Sequence, residues 1–184
     1  MAEASPVSTG TAAETVSDRA RGVSLRWFGE LQDPLRRYLV CSGVRPADAD
    51  EAVQESFLRL YRHLEKGREV DNVRAWVFQV ARNYLKDERK SAHSRHSVPL
   101  DNAMEREGRF ADPGANPEHG ALHEERARRL TQAIERLPAQ QRECILLRSS
   151  GLRYREIAEV MGININNVGG LVMRAVARLS EELA

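Results

Sequence analysis

Apolar residues recur along this chain at the spacing of α-helices, and no stretch alternates between apolar and polar residues as a half-buried strand would. In the segment that follows Pro46, four apolar side chains fall on one helical face: Val53, Phe57, Leu60 and Leu64. The pattern predicts an all-α protein in which each helix buries one face.

Residues that cap or break helices mark the ends of the predicted elements. Asp33 and Pro34 have the properties of an N-cap and a first helical residue, and Ser42–Gly43 ends that helix. A later helix is predicted from Val73 to Lys90. Its apolar stripe consists of Val73, Val77, Val80 and Tyr84, and Trp76 widens it.

The apolar pattern stops between Ser91 and Asn116, where prolines and glycines interrupt a polar, acidic segment. This segment divides the chain into two small helical domains. We predict a disordered tail at residues 1–24, a first domain at 25–92, a flexible acidic linker at 93–116 and a second domain at 117–184.

The second domain has the pattern of a helix-turn-helix. One helix follows Pro138 and ends at Gly151, and two shorter helices flank Gly162, with the small Ala158 where their axes approach. The residues predicted to form its core are Ile157, Ile163, Val168, Val172 and Leu179. The last helix, which begins near Asn164, is the one that would enter the major groove of DNA.

Charge is unevenly distributed, although the net charge is only +1. Between Arg74 and Arg95 there are six lysine and arginine residues and two acidic residues, whereas between Asp101 and Glu125 there are seven acidic residues and two arginines. The basic segment suits a polyanion and the acidic segment suits a basic surface. A solvated surface would account for either segment taken alone.

Neither cysteine belongs to a CxxC motif, and both Cys41 and Cys144 lie within apolar helical patterns. We expect both to be reduced, buried and structural. The sequence has no apolar window of membrane-spanning length, and its first residues lack the apolar block of a signal peptide. We therefore expect a protein inside the cell that does not insert into membranes.

Three runs of sequence carry a resemblance to a known family: DADEAVQESFLRLYRHL, NVRAWVFQVARNYLKDERK and LPAQQRECILLRSSGLRYREIAEVMGI. In this order they resemble the bacterial RNA polymerase sigma factors of the extracytoplasmic-function group. The resemblance covers about residues 25–92, which match sigma region two, and 117–184, which match region four. It implies a cytoplasmic, non-enzymatic subunit that binds core RNA polymerase, recognises and melts promoter DNA, and needs no cofactor.

The resemblance implies a polymerase-binding surface on the DADEAVQESF helix. In the family this helix docks on the clamp helices of the largest polymerase subunit, and region four meets the polymerase flap. The matching positions are Asp50, Gln54, Glu55 and Arg59. They lie off the apolar stripe, so they are available to a partner.

The NVRAW helix of the family binds the minus-ten promoter element as single-stranded DNA, and the loop before it, here Lys66–Asn72, captures a flipped base. The residues expected to face DNA are Asn72, Arg74, Arg82, Asn83, Lys86 and Arg89. Their basic side chains would neutralise phosphates, while polar pockets hold unpaired bases. Trp76 could stack on a base, although its helical position favours the core.

Region four of the family reads the minus-thirty-five element with basic residues on its recognition helix, and this chain departs from that pattern. Gly169, Gly170 and Leu171 stand where a basic residue, a small polar residue and an arginine are expected. The expected DNA-binding residues are Arg155, Asn164, Asn166, Asn167, Gly169, Gly170 and Arg174. Residues 151–184 contain four arginines and four glutamates, so this region alone should bind duplex DNA weakly.

The asparagines and glycines of this helix suggest how it would meet DNA. Asn164 can cap the helix, and Asn166 or Asn167 can pair with an adenine edge. A glycine inside a helix costs about 1 kcal/mol relative to alanine. We therefore expect Gly169 and Gly170 to permit a close backbone approach to DNA or to another protein.

The resemblance implies two further partners. In the family the linker threads polymerase channels that otherwise carry nucleic acid, which suits the acidic segment here, although a flexible tether would fit as well. An anti-sigma factor that covers both domains is a possible partner, but no residue of the sequence requires one.

Other functions stay open at this point. A helix-turn-helix regulator that acts without polymerase is the main alternative, and co-elution with core polymerase separates the two. An enzyme would have to use the acidic cluster Asp48, Asp50, Glu51 and Glu55, which the helix dipole already explains. The pairs His93/His96 and His119/His123 lack the other ligands of a zinc site. We therefore expect no catalytic residue and no metal.

Overall fold

The computed structural model describes residues 10–94 and 120–184, and within these stretches it contains α-helices and no strand. The helices are α1 (Gly10–Cys41), α2 (Pro46–Glu65), α3 (Val73–Ser94), α4 (Gly120–Arg136), α5 (Ala139–Ser149), α6 (Tyr154–Met161) and α7 (Ile165–Leu183). Helices α1 to α3 form one bundle and α4 to α7 a second. The all-α prediction is confirmed, and no helix of the described stretches could cross a membrane.

Helix α2 holds the first bundle together as its apolar stripe predicted. Val53, Phe57 and Leu60 are buried, and Leu64 is half-buried at the end of the stripe. The ring of Phe28 in α1 meets Phe57 edge-on, with the ring centroids 5.1 Å apart. Edge-to-face aromatic packing adds to the stabilisation that comes from burial alone.

Helix α1 corrects the prediction that a helix begins at Asp33. Pro34 lies inside α1, which continues without a break on both sides of it. Proline in a helix removes a backbone hydrogen bond. Leu31 and Leu35, which flank Pro34, are fully buried, and their burial offsets this loss.

The early start of α1 also corrects the prediction of a disordered tail for residues 10–24, which are helical. Ala20 and Ser24 are buried, and the Ser17 hydroxyl lies 3.1 Å from the hydroxyl of Tyr61 in α2. The small and polar residues of this segment favoured the prediction of a disordered tail. Their small side chains instead allow α1 to pack closely on its neighbours. Residues 1–9 lie outside the described part of the chain.

Helix α3 is buried on more of its surface than the sequence predicted. Within the expected stripe Val73 and Val77 are buried, but Val80 and Tyr84 are only half-buried. A second set is buried as well: Phe78, Ala81 and Leu85. The reason is that α3 packs against α1 and α2 and also against α6 of the second bundle.

The helix-turn-helix prediction is confirmed. Gly162 joins α6 to α7 in the left-handed conformation, with φ 68° and ψ 38°, where glycine is favoured. The residues predicted for its core lie inside, with Ile157, Val168 and Val172 buried and Ile163 and Leu179 half-buried.

Neither cysteine takes part in a disulfide, and Cys41 is only half-buried, which corrects the expectation that it is buried. Cys144 is fully buried, and its thiol donates a hydrogen bond to the sulfur of Met161, 3.3 Å away. Burial raises the pKa of the Cys144 thiol to about 11. The structural role expected for Cys144 is thus confirmed. His96, His119 and most of the predicted linker at 93–116 lie outside the described residues.

Candidate protein and nucleic-acid interfaces

The four residues expected to bind polymerase lie on the solvent side of α2. Asp50 accepts a hydrogen bond of 2.6 Å from Arg36 of α1, and Glu55 accepts one of 2.7 Å from Arg59. This bond from Arg59 lowers the pKa of the Glu55 carboxyl, which is therefore ionised at neutral pH. Gln54 is exposed. Exposed ion pairs of this kind contribute little to stability, so a partner can rearrange them easily.

Leu58 is a residue of this surface that the sequence interpretation missed. It is 48% exposed although it is a large apolar residue. Helical spacing places it next to Gln54, Glu55 and Arg62, so polar side chains surround it. An exposed apolar residue inside a polar rim is typical of a protein interface. Its position off the stripe of Val53 could have revealed it.

The basic face of α3 begins at Asn72, which caps the helix. Its side-chain oxygen accepts a hydrogen bond from the backbone N–H of Ala75 at 3.1 Å. Its side-chain nitrogen donates to Glu159 of α6, also at 3.1 Å. Both ends of the amide therefore have partners.

Two arginines of this face also meet glutamates of the second bundle. Arg82 donates two hydrogen bonds to Glu143 of α5, from Nε at 2.5 Å and from Nη2 at 3.2 Å. These bonds raise the pKa of Arg82 above its ordinary value. Arg74 Nε lies 4.0 Å from Glu156 Oε1. Three of the six side chains that were expected to face DNA, those of Asn72, Arg74 and Arg82, thus contact the helix-turn-helix bundle.

The other candidates on α3 differ from one another. Asn83 and Lys86 are exposed, whereas the side chain of Arg89 lies outside the described part of the structure. Trp76 is half-buried, with its ring 5.4 Å from that of His63 in α2. This contact agrees with a core position for Trp76.

The loop between α2 and α3 borders a cavity of about 450 Å³. The loop contributes residues 67–71 to its wall, and α1 contributes Val16, Arg19, Ala20 and Val23. The segment of α1 that composition predicted to be disordered therefore forms one side of this cavity.

The first turn of α7 is organised as the sequence predicted. Asn164 is the N-cap, and its side-chain oxygen accepts a hydrogen bond of 2.9 Å from the backbone N–H of Asn166. Asn166 and Asn167 are exposed, as are Arg155 in α6 and Arg174 further along α7. These polar groups remain accessible at one end of the helix-turn-helix.

The two glycines of α7 have different neighbours. A Cβ atom on Gly169 would lie 3.9 Å from the ring of Tyr154, which is an ordinary contact. A Cβ atom on Gly170 would lie 3.2 Å from Nη1 of Arg174, whose guanidinium is folded over the glycine. Gly170 thus leaves room for the arginine side chain.

Leu171 stands where region four of the family is expected to carry an arginine. It is buried in the second bundle. The large apolar residues that α7 exposes are instead Ile165, Met173, Val176 and Leu183. The outer face of this helix is therefore apolar as well as poor in charge.

These features define a class of protein: a helical protein of two parts, with a basic face on one and a helix-turn-helix in the other. Comparison with protein families agrees, since Sigma-70 region 2 matches residues 27–95 and Sigma-70 region 4 matches residues 127–179.

Individual relatives identify the class of protein more closely. The ECF RNA polymerase sigma-E factor of Escherichia coli (strain K12) is 33% identical over 143 residues, which is 74% of this chain and 74% of the relative. The ECF RNA polymerase sigma factor BldN of Streptomyces coelicolor is 31% identical over 163 residues, 86% of this chain and 59% of the relative. The chain thus spans less than two thirds of the length of BldN.

Solved structures share the fold. The sigma factor RpoE in complex with the anti-sigma factor NepR from Bartonella quintana superposes with a TM-score of 0.62 at 22% identity, covering 86% of this chain and 94% of RpoE. CnrH in complex with the cytosolic domain of CnrY gives 0.61 at 22%, covering 93% and 94%. The chain belongs to the extracytoplasmic-function group of RNA polymerase sigma factors.

Proposed function

We propose that this chain binds core RNA polymerase and directs it to promoters in the cytoplasm, without catalysing a reaction of its own. The observation that carries this function is the order of the two family regions along one chain. The exposed face of α2 and the basic face of α3 supply a protein interface and a DNA interface within region two. A regulator that acts without polymerase would have no use for the protein interface.

The polymerase would bind the outer face of α2. Leu58 supplies apolar area that becomes buried on binding, and Asp50, Gln54, Glu55 and Arg59 supply the polar contacts around it. The side chains that hold α2 to its own bundle point the other way, so binding does not require region two to rearrange.

Single-stranded promoter DNA would bind along α3. Arg74, Arg82 and Lys86 would neutralise phosphates, and Asn72 and Asn83 would contact bases or sugars. The cavity beside the α2–α3 loop has polar and apolar walls, which suits an unpaired base lifted out of its stack. Arg89 continues the same basic helix.

Region four would make the weaker DNA contact. The N–H groups at the start of α7 can bind a phosphate, and Asn166 and Asn167 can reach base edges. With few cations on α7, duplex binding would depend on polymerase holding region four in place near the flap. An anti-sigma factor is a further proposed partner, by analogy with the RpoE complex.

The direct test is transcription-start mapping with this chain and core polymerase on a fragmented genomic library, with core polymerase alone as the control. We expect starts that share upstream sequence motifs. Starts that share only the melted element would assign promoter selectivity to region two. If no initiation occurred although the chain bound duplex DNA, the regulator that acts without polymerase would replace this proposal.

A further inference from the structure

We infer that the first half of α1 helps to select the base that the cavity beside the α2–α3 loop receives, and that Arg19 makes the selecting contact. The base would be guanine or cytosine, lifted out of the single-stranded minus-ten element. This inference rests on the proposed binding of promoter DNA by region two and adds a specificity-determining residue to it.

The wall that α1 contributes to this cavity lies outside the part of the chain that matches the family. Sigma-70 region 2 matches residues 27–95, whereas on the α1 side the cavity is lined by Val16, Arg19, Ala20 and Val23. The α2–α3 loop, which forms another wall, lies inside the match. Residues of α1 can therefore give this chain a base preference that the family motifs do not indicate.

Hydrogen bonds hold this part of α1 against the end of α2. Tyr61 donates a hydrogen bond of 2.9 Å to Glu65. Its single O–H is thereby used, so the Ser17 hydroxyl, 3.1 Å away, donates to the Tyr61 oxygen. Because Glu65 is the last residue of α2, these contacts fix α1 next to the start of the loop. The cavity wall is thus preorganised, which lowers the cost of binding.

The shape of the cavity suits the flat faces of a base. Val16 and Val23 are seven residues apart on α1, so they lie on the same side of the helix. Val70 of the loop and Val73 at the start of α3 line the cavity as well. The volume of about 450 Å³ lies in the range of pockets that bind small organic ligands. A base that left its stack would therefore find apolar contacts for its faces.

Arg19 supplies a positive charge to the α1 wall and is free to bind a ligand. It lies three residues after Val16 and four before Val23, at the side of the same helical face. The residue is exposed, and within the described parts of the chain its guanidinium forms no hydrogen bond or ion pair. Arg74 and Arg82 of α3, by contrast, lie against glutamates.

The polar groups that line the cavity favour guanine and cytosine. A guanidinium can donate two parallel hydrogen bonds to neighbouring acceptors, which guanine presents at O6 and N7 and cytosine at O2 and N3. Adenine sets its amino group beside N7 and N1, and thymine sets N3–H between its two oxygens, so neither offers such a pair. The carboxylates of Glu69 and Asp71 also line the cavity, and they can accept hydrogen bonds from the amino group of guanine or cytosine.

The test is transcription by this chain and core polymerase from a promoter library in which each position of the minus-ten element is randomised. Wild type is compared with Arg19→Gln, because glutamine pairs with the edge of adenine. At one position of the element we expect wild type to prefer guanine or cytosine. There Arg19→Gln should reduce the preference about tenfold, in favour of adenine. Preferences at the other positions should not change.

The matched control is Arg21→Gln, which removes the same charge from an exposed position of α1 that does not line the cavity. It should keep every base preference of wild type. If Arg19→Gln kept them too, or lost transcription equally from all promoters, Arg19 would not select a base and the inference would be overturned.

Initiation by wild type tests the proposed function separately. If wild type started at shared motifs while Arg19→Gln kept every preference, the proposed function would stand and the role of Arg19 would fall. A wild type that does not initiate would contradict the proposed function and this inference together.

Discussion

Two faces of region two differ in how they are used within the free chain. The outer face of α2 carries Leu58 and a set of exposed polar groups that meet only their own bundle. On the basic face of α3, by contrast, Asn72, Arg74 and Arg82 are engaged by the second bundle. One bundle therefore presents an open surface on α2 beside a covered basic surface on α3.

The difference indicates the order in which the two partners can bind. An open surface can bind polymerase at once, whereas a covered one must first lose its internal ligands. Because glutamates cover the basic face, the competition with DNA is between two kinds of anion for the same cations.

The largest effect should follow from a charge placed on the open face. Leu58→Asp would bring an unpaired carboxylate into the polymerase interface, and we expect affinity for core polymerase to fall tenfold or more. Fluorescence anisotropy with labelled chain measures it. Leu25→Asp, at an exposed leucine of α1, is the matched control and should bind normally. Equal losses in both variants would remove Leu58 from the interface.

A smaller effect is expected when the basic face of α3 loses one positively charged side chain. In the holoenzyme, Arg82→Gln should reduce promoter opening about fivefold, since one phosphate contact is lost. Permanganate reactivity of unpaired thymines reports the opening. The control is Arg26→Gln, at an exposed arginine of α1. Normal opening by the Arg82 variant would mean that α3 does not hold the strand through this residue.

Region four offers a third change, in which cations are added rather than removed. The pair Gly169→Lys/Met173→Lys puts two charges on the exposed side of α7 near its start, and Gly169 has room for a side chain. We expect duplex affinity of the free chain to rise about threefold, with a salt dependence steeper by about one unit for each phosphate reached.

The control for this pair is Ser180→Lys/Leu183→Lys, which adds the same charge at the far end of α7. Equal gains in both variants would show a nonspecific effect of charge. In that case the start of α7 would not be the part of region four that meets DNA.

The smallest effect is expected for the rate at which Cys144 is alkylated. Its buried thiol, with a pKa of about 11, is almost fully protonated at pH 8. Alkylation should therefore be slow, and faster only as pH rises toward 11. The rate should rise only slightly in Glu143→Gln/Glu159→Gln, because burial is the larger cause of the raised pKa of Cys144 and the charge of Glu143 is the smaller one. Rapid alkylation of that variant alone would indicate that the two substitutions unfold the bundle around Cys144.

Much of the fold could be predicted from local patterns. The stripe of α2 and the turn at Gly162 each depend on residues a few positions apart, and such spacing is readable in sequence. The start of α1 could not be predicted in this way. Pro34 indicates a helix start in the local sequence, but α1 continues through it because the residues on either side are buried against other parts of the fold. Contacts such as that of Ser17 with Tyr61 of α2 join residues far apart in the chain, and local patterns do not reveal them.

The residues of the candidate site could be predicted from the sequence, but their contacts could not. The residues of the basic face follow from spacing and charge along α3. Their pairing with Glu143 and Glu159 joins positions 61 and 87 residues apart, which no local pattern reveals. The burial of Leu171 could not be predicted either. It depends on how α7 packs on its bundle, and a comparison of the helix sequence with the family does not show this packing.

The most direct test of the central claim is the distance between the two regions, measured by single-molecule energy transfer. Labels would be attached through Gln79→Cys in α3 and Gln140→Cys in α5, both exposed positions, in a Cys41→Ser background. The contacts of α3 with Glu143 and Glu159 predict a single short distance in the free chain and a longer one once core polymerase is bound. A free chain whose regions are already as far apart as in the holoenzyme would contradict it.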